Sequence, residues 1–97
     1  MKDMRSRQII VAEERHLDDD LVKGYMHEGF GVMAVPDLSA AGKGTADYLL
    51  TVMADELEEF LKDGEQIVVL RSRRDAFTRS LLGKLSKRKL EVQVKEI

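Results

Sequence analysis

A three-layer α/β sandwich around a four-stranded parallel sheet, with helices on both faces, is the fold class this sequence predicts. Three observations carry it. Four compact apolar runs alternate with three segments of helical periodicity. The first and third runs, Ile9-Ile10-Val11-Ala12 and Ile67-Val68-Val69-Leu70, are continuous, as strands covered on both faces are. The last run alternates apolar with polar residues, which suits a strand at the margin of a sheet. Strands separated by helices run parallel and are joined by right-handed crossovers. The economical strand order is therefore 2-1-3-4, with the two continuous runs in the centre.

The elements follow in order. Residues 1–7 read as a flexible leader, and residues 8–97 as a single domain. After the first strand, Leu17-Asp18-Asp19-Asp20 opens a helix, its aspartates suited to the free N–H groups and positive end. Leu21, Val22, Tyr25 and Met26 form its apolar face, and Gly29 suits the left-handed residue just past its end. Gly31-Val32-Met33-Ala34-Val35 is the second strand, ended by Pro36, which cannot donate to a ladder. The longest helix runs from about Thr45 to Lys62. Ala46, Leu49, Leu50, Met53, Leu57, Phe60 and Leu61 keep the 3.6-residue period, with acidic residues opposite. After the third strand, Ser72-Arg73-Arg74-Asp75 reads as a capping box opening a helix that buries Phe77, Leu81, Leu82 and Leu85. The closing segment places Leu90, Val92 and Val94 inward and Glu91, Gln93 and Lys95 outward.

Charge is sorted along the chain. Residues 1–65 hold seven Lys/Arg and fifteen Asp/Glu, whereas residues 66–97 hold nine and three, and the total is −2. Such asymmetry bears on partners rather than on fold. Zero Cys excludes disulfides, thiolate nucleophiles and sulfur-ligated metals. No apolar window approaches the roughly 18 residues of a membrane span, so no membrane association is expected. A cytoplasmic location fits both facts.

Open parallel sheets bind ligands beyond the carboxyl ends of their strands, where the chain reverses direction across the sheet. Here that crevice lies between the first and third strands. Glu13 and Glu14 would face Arg71, Ser72 and Arg73 there, with the loop holding Gly42, Lys43 and Gly44 alongside. Arginines forking onto phosphate or carboxylate are the chemistry such a site offers; mutual neutralisation of the charges is its plain structural reading. Arg74, Arg79, Lys84, Lys87 and Arg88 extend the basic run along the last helix and form a candidate nucleic-acid face. The run's one aromatic, Phe77, belongs to the core, so no stacking platform accompanies them. His16 reads as a surface turn histidine and His27 as a helix-end residue.

Two resemblances attach to these residues. A first strand ending Ile-Val-Ala-Glu-Glu, in a four-strand, three-helix order with a charged turn after the third strand, looks like the toprim domain of topoisomerases, primases and small nucleases. That likeness implies a Mg²⁺ site from a glutamate after the first strand and an Asp-x-Asp after the third. Glu13 matches the glutamate, without the usual following glycine. The turn Arg71-Ser72-Arg73-Arg74-Asp75 lacks the aspartate pair and is basic instead. Ala40-Ala41-Gly42-Lys43-Gly44-Thr45 resembles the end of the phosphate loop of nucleoside-monophosphate kinases, but Asp37 stands where that loop has its first glycine. No complete catalytic motif and no cofactor are read from the chain. The expected function is a non-catalytic interaction or regulatory domain, dimeric or bound to another protein. Its contact surfaces would be the edge strand Leu90 to Glu96 or the acidic and basic helices. The alternative is a binder of a phosphate-containing ligand or nucleic acid.

Overall fold

The computed structural model describes residues 7–97, so the expected leader lies, but for Arg7, outside the described residues. The carbonyl of Arg7 accepts the Gln66 N–H at 2.9 Å, at the foot of the sheet. Four strands, β1 (Gln8–Glu13), β2 (Gly31–Val35), β3 (Gln66–Arg71) and β4 (Gln93–Glu96), form one parallel sheet in the order β2-β1-β3-β4. Three helices connect them, α1 (Asp20–His27), α2 (Lys43–Lys62) and α3 (Ala76–Lys87), and one 3₁₀ turn, Glu14–His16, precedes α1.

Strand alternation divides the core. Ile9 and Val11 of β1 and Ile67 and Val69 of β3 meet Leu50, Ala54 and Leu57 of α2 and Leu81 and Leu85 of α3. Ile10, Ala12, Val68 and Leu70 point the other way and meet Val22 of α1, with Leu17, Tyr25 and Phe30 around it. The two faces are unequal because β1 to β2 crosses in one direction and the next two crossovers in the other. Right-handed connection then puts α1 alone on one side and α2 with α3 on the other.

All three helices end in the same way. Gly29 and Gly64 take φ of 94° and 84° just past α1 and α2. The amide two residues past each last helical turn bonds back to the carbonyl five residues earlier: Phe30 to Tyr25 (3.1 Å), Glu65 to Phe60 (3.0 Å) and Leu90 to Leu85 (3.1 Å). These are Schellman motifs, which satisfy carbonyls the helix leaves unpaired. Phe30 also packs edge-on against Tyr25, with ring centroids 4.8 Å apart. At the end of α3 the left-handed position is occupied by Lys89, at φ 59°.

Four local expectations are corrected. Helix α1 begins at Asp20, after the separate 3₁₀ turn, and its N-cap Asp19 makes no side-chain capping bond. Helix α2 starts two residues early, at Lys43. Helix α3 starts at Ala76 with Asp75 as N-cap, so Ser72 does not open it. The paired part of the last strand begins only at Gln93. Leu90 and Val92 pack against the α2–α3 core before it, but Val94 is 44 % exposed. It shares a face with Val69, its partner in the ladder, but α3 packs mainly over β1 and β3 and leaves Val94 open.

A β-carbon in the left-handed region costs on the order of 1 kcal/mol, and Lys89 alone bears it at a helix end where glycine would not. Lys89→Gly is expected to stabilise the fold by about 0.5–1 kcal/mol. Gly29→Ala is expected to destabilise it by about 1 kcal/mol. Urea unfolding followed by circular dichroism measures both.

Candidate functional site

The carboxyl end of β1 delivers Glu13 into the crevice above β1 and β3, 8 % exposed. One carboxylate oxygen accepts the Thr78 N–H at 3.3 Å, in the first turn of α3. The other lies 3.6 Å from Arg15 Nε. A strand residue thus satisfies a free amide of α3 and places negative charge at the helix's positive end. The Thr78 hydroxyl beside it is buried and has no hydrogen-bond partner among the described residues.

Asp75, the N-cap residue of α3, is 1 % exposed and forms the centre of the cluster. Its carboxylate accepts a hydrogen bond from Arg15 Nη2 and another from the Ser72 N–H at 2.7 Å. The His16 Nε2 lies 2.8 and 3.0 Å from its two oxygens. The other ring nitrogen of His16 is 3.3 Å from Asp19 Oδ2, at the head of α1. Burial pushes the Asp75 carboxyl up. The Arg15 guanidinium, the Ser72 amide and the His16 imidazole outweigh that, and hold it below its ordinary value. One carboxylate therefore ties the β1–α1 turn to the β3–α3 turn across the sheet's switch point.

Asp37, on the loop after β2, completes the rim. It donates its N–H to Glu14 Oε1 at 3.2 Å and accepts from the Ser39 N–H (3.0 Å) and hydroxyl (2.5 Å). The Ser39 hydroxyl first, then its amide, hold the Asp37 carboxyl below its ordinary value.

The residues expected to form a site are distributed as follows. Of these, Glu13, Glu14 and Arg74 line one depression, together with Arg15, Asp37, Ser39 and Phe77. Arg71 is not in it: its Nε bonds Glu96 Oε2 of β4 at 2.8 Å. Ser72 serves the turn, its amide on Asp75 and its hydroxyl 3.4 Å from the Arg74 N–H. Arg73 is exposed, and its carbonyl accepts from Arg79 Nη2 at 2.9 Å. Gly42 is the N-cap of α2, and Lys43 and Gly44 are its first turn, all exposed. Neither glycine has positive φ, so this segment has no left-handed residue of the kind that curls amides around phosphate.

The basic third helix is partly neutralised within the chain. Lys84 Nζ lies 2.6 Å from Asp47 Oδ1, and Arg88 Nη1 lies 2.6 Å from Asp55 Oδ1 and 2.9 Å from Glu58 Oε1, all on α2. Asp55 first, then Glu58, raise the pKa of the Arg88 guanidinium. Asp47, Thr51, Asp55 and Glu58 form one flank of α2, and that flank faces α3. The opposite flank carries Leu49, Met53, Glu56 and Phe60. Glu56 and Phe60 border a groove along β2 with Ile9, Gly31, Val32 and Met33.

Sheet edges differ accordingly. Among the described residues β2 pairs only with β1 and β4 only with β3. The β4 edge is four residues long and includes Lys95 and Glu96, which blunt strand addition. The β2 edge is five residues, none charged, with Val32 37 % exposed and Ala34 exposed.

In the crevice the Arg15 guanidinium and the His16 imidazole are both bonded to the Asp75 carboxylate. The toprim-like reading has no metal pair to work with: Asp75 is the one carboxylate of the turn after β3, and it is closed by Arg15, His16 and Ser72. No group of three possible metal ligands occurs among the described residues. No helix among them is long and apolar enough to cross a membrane. No family model matches the chain, and neither do curated proteins or solved structures.

Asp75, His16 and Thr78 are the cluster members that local sequence does not reveal. In the sequence Asp75 closes an S-x-x-D pattern that reads as a capping box opened by Ser72. Half of that box does form, the Ser72 N–H on the Asp75 carboxylate, but the remaining oxygen valence is directed to partners about 60 positions away.

Asp75→Asn is expected to destabilise the fold by about 1–3 kcal/mol near neutral pH, since a buried charge-assisted network loses its centre. Because the folded-state pKa is depressed, this stability is present above the ordinary carboxylate range and is lost as pH falls through the lowered value. The gap between wild type and Asp75→Asn in urea midpoints, read from neutral pH down to about pH 3, should narrow with acid. A gap that stays constant would remove Asp75 from this role.

Proposed function

We propose that this chain is a small non-catalytic interaction module that self-associates through the β2 edge and the adjoining flank of α2. The observation that carries the reading is the contrast between the two edges. An uncharged, partly exposed edge strand offers unpaired amides and carbonyls to another chain, and natural sheets ordinarily protect such edges. Among the described residues β4 has that protection and β2 has none. The exposed apolar residue Leu49, 37 % exposed on α2, extends the surface beside it.

The binding alternatives are less well supplied. Of the eight cations between Arg71 and Lys89, Arg71, Lys84 and Arg88 are engaged by Glu96, Asp47, Asp55 and Glu58 of the same chain. The acidic flank of α2 is likewise engaged by Lys84 and Arg88 of its own α3, which speaks against a charge-complementary contact with a neighbouring subunit. Association driven by apolar surface and backbone hydrogen bonds does not weaken with salt, whereas binding through exposed charges does.

Sedimentation of the purified chain over a concentration series, at low and high salt, tests this. The expected result is a concentration-dependent dimer that persists at high salt. The double variant Val32→Lys/Leu49→Glu, at two exposed positions, should dissociate about tenfold or more readily, or roughly 1.4 kcal/mol. A monomer at all concentrations would contradict the reading, as would a dimer indifferent to both substitutions. Salt-sensitive binding to short DNA or RNA by that monomer would favour the α3 alternative.

A further inference from the structure

We infer that two copies join β2 to β2′ antiparallel about a two-fold axis at Met33, making one continuous eight-stranded sheet; this rests on the self-association proposed above. Among the ways two identical strands can meet edge to edge, a two-fold axis perpendicular to the sheet closes the assembly at two copies. It also forces the strands antiparallel. Such an axis carries each face of the sheet onto the same face, so a residue can stand opposite only a residue whose side chain points the same way. Side chains alternate along a strand, which leaves registers centred on Val32, Met33 or Ala34.

Only the register on Met33 pairs all five residues of β2. It sets Met33 opposite Met33′, Val32 opposite Ala34′ and Gly31 opposite Val35′. Centring on Ala34 brings Pro36, which has no N–H, opposite Val32′. Centring on Val32 runs Val35 into the turn at Gly29, which has left the strand. In the Met33 register, Val32 and Ala34′, both exposed in the single chain, shield one another on the α1 face.

The same axis keeps α2 and α2′ on one face and antiparallel to each other. Their apolar flanks, Leu49, Met53 and Phe60, turn toward the seam because the acidic flank is taken by α3. A stable interface needs about 800 Å² from each partner, more than a five-residue strand edge supplies, so the helix flanks form part of the contact. The seam therefore has both components that a strand-edge dimer requires, a ladder and an apolar cover. The acidic rim at the foot of β2, Glu28, Glu56 and Glu65 with Arg7, adds like charge that salt screens.

The chain has no cysteine, so single introduced thiols report position without background. Directly opposed residues of an antiparallel pair have Cα atoms roughly 4.5–5.5 Å apart, inside the disulfide range. Met33→Cys is expected to form the symmetric 33–33′ disulfide at least about tenfold faster than Val94→Cys, on the protected edge, because association raises the local thiol concentration. The double variant Val32→Cys/Ala34→Cys, at exposed positions, repeats the test with 32–34′ links should Met33→Cys fold poorly. A dimer that Leu49→Glu weakens but that forms neither link would overturn the continuous sheet and leave self-association standing. A chain that stays monomeric would overturn both.

Discussion

The parallel pairing of β1 with β3 in the centre of the sheet is the constraint from which the rest of the molecule follows. It fixes where the chain reverses direction, and hence where two strand ends bring Glu13 and the β3–α3 turn together. It also fixes which helices share a face. With one crossover to the left and two to the right, α2 and α3 lie side by side, and α1 stands alone on the opposite face. The acidic stripe of α2 and the basic stripe of α3 are thereby made neighbours within one chain.

That adjacency changes the meaning of the sorted charge. A strong acidic-to-basic division along a sequence points toward partners as long as the halves are taken separately. Folded, part of the division is resolved internally, with Asp47, Asp55 and Glu58 on Lys84 and Arg88. Asp75 does the corresponding work at the other end of α3, holding Arg15 and His16 from the β1–α1 turn. What would have been an open ligand crevice is thus a polar clamp between two turns. Beside exposed cations such as Arg74 and Lys87, backbone and apolar surface stays uncovered at the β2 edge and the far flank of α2.

Much of the architecture is legible in the sequence, because burial imposes periodicity. The unbroken runs at Ile9–Ala12 and Ile67–Leu70 announce central strands, and the alternation after Leu90 announces a margin. The 3.6-residue spacing from Ala46 to Leu61 announces the long helix. Gly29 and Gly64 mark helix ends through a backbone angle that glycine alone adopts without strain. Lys89 bears the same angle with no such mark. Val94 misleads for a related reason: alternation says which face a residue shares, and only packing says whether a helix reaches far enough to cover it. The clamp is the least legible part. Asp75, Arg15 and His16 are drawn together by the sheet's topology over about sixty positions, and no local spacing encodes it.

On the proposed reading, the β2 edge is where the molecule meets its copy. Isotope-filtered NMR on an equal mixture of labelled and unlabelled chains reads this directly, since it records contacts between copies only. The account predicts methyl contacts from Val32 to Ala34 of the other copy, together with Met33 to Met33. Inter-copy contacts confined to Val94, Ile97 or the charged face of α3 would contradict it.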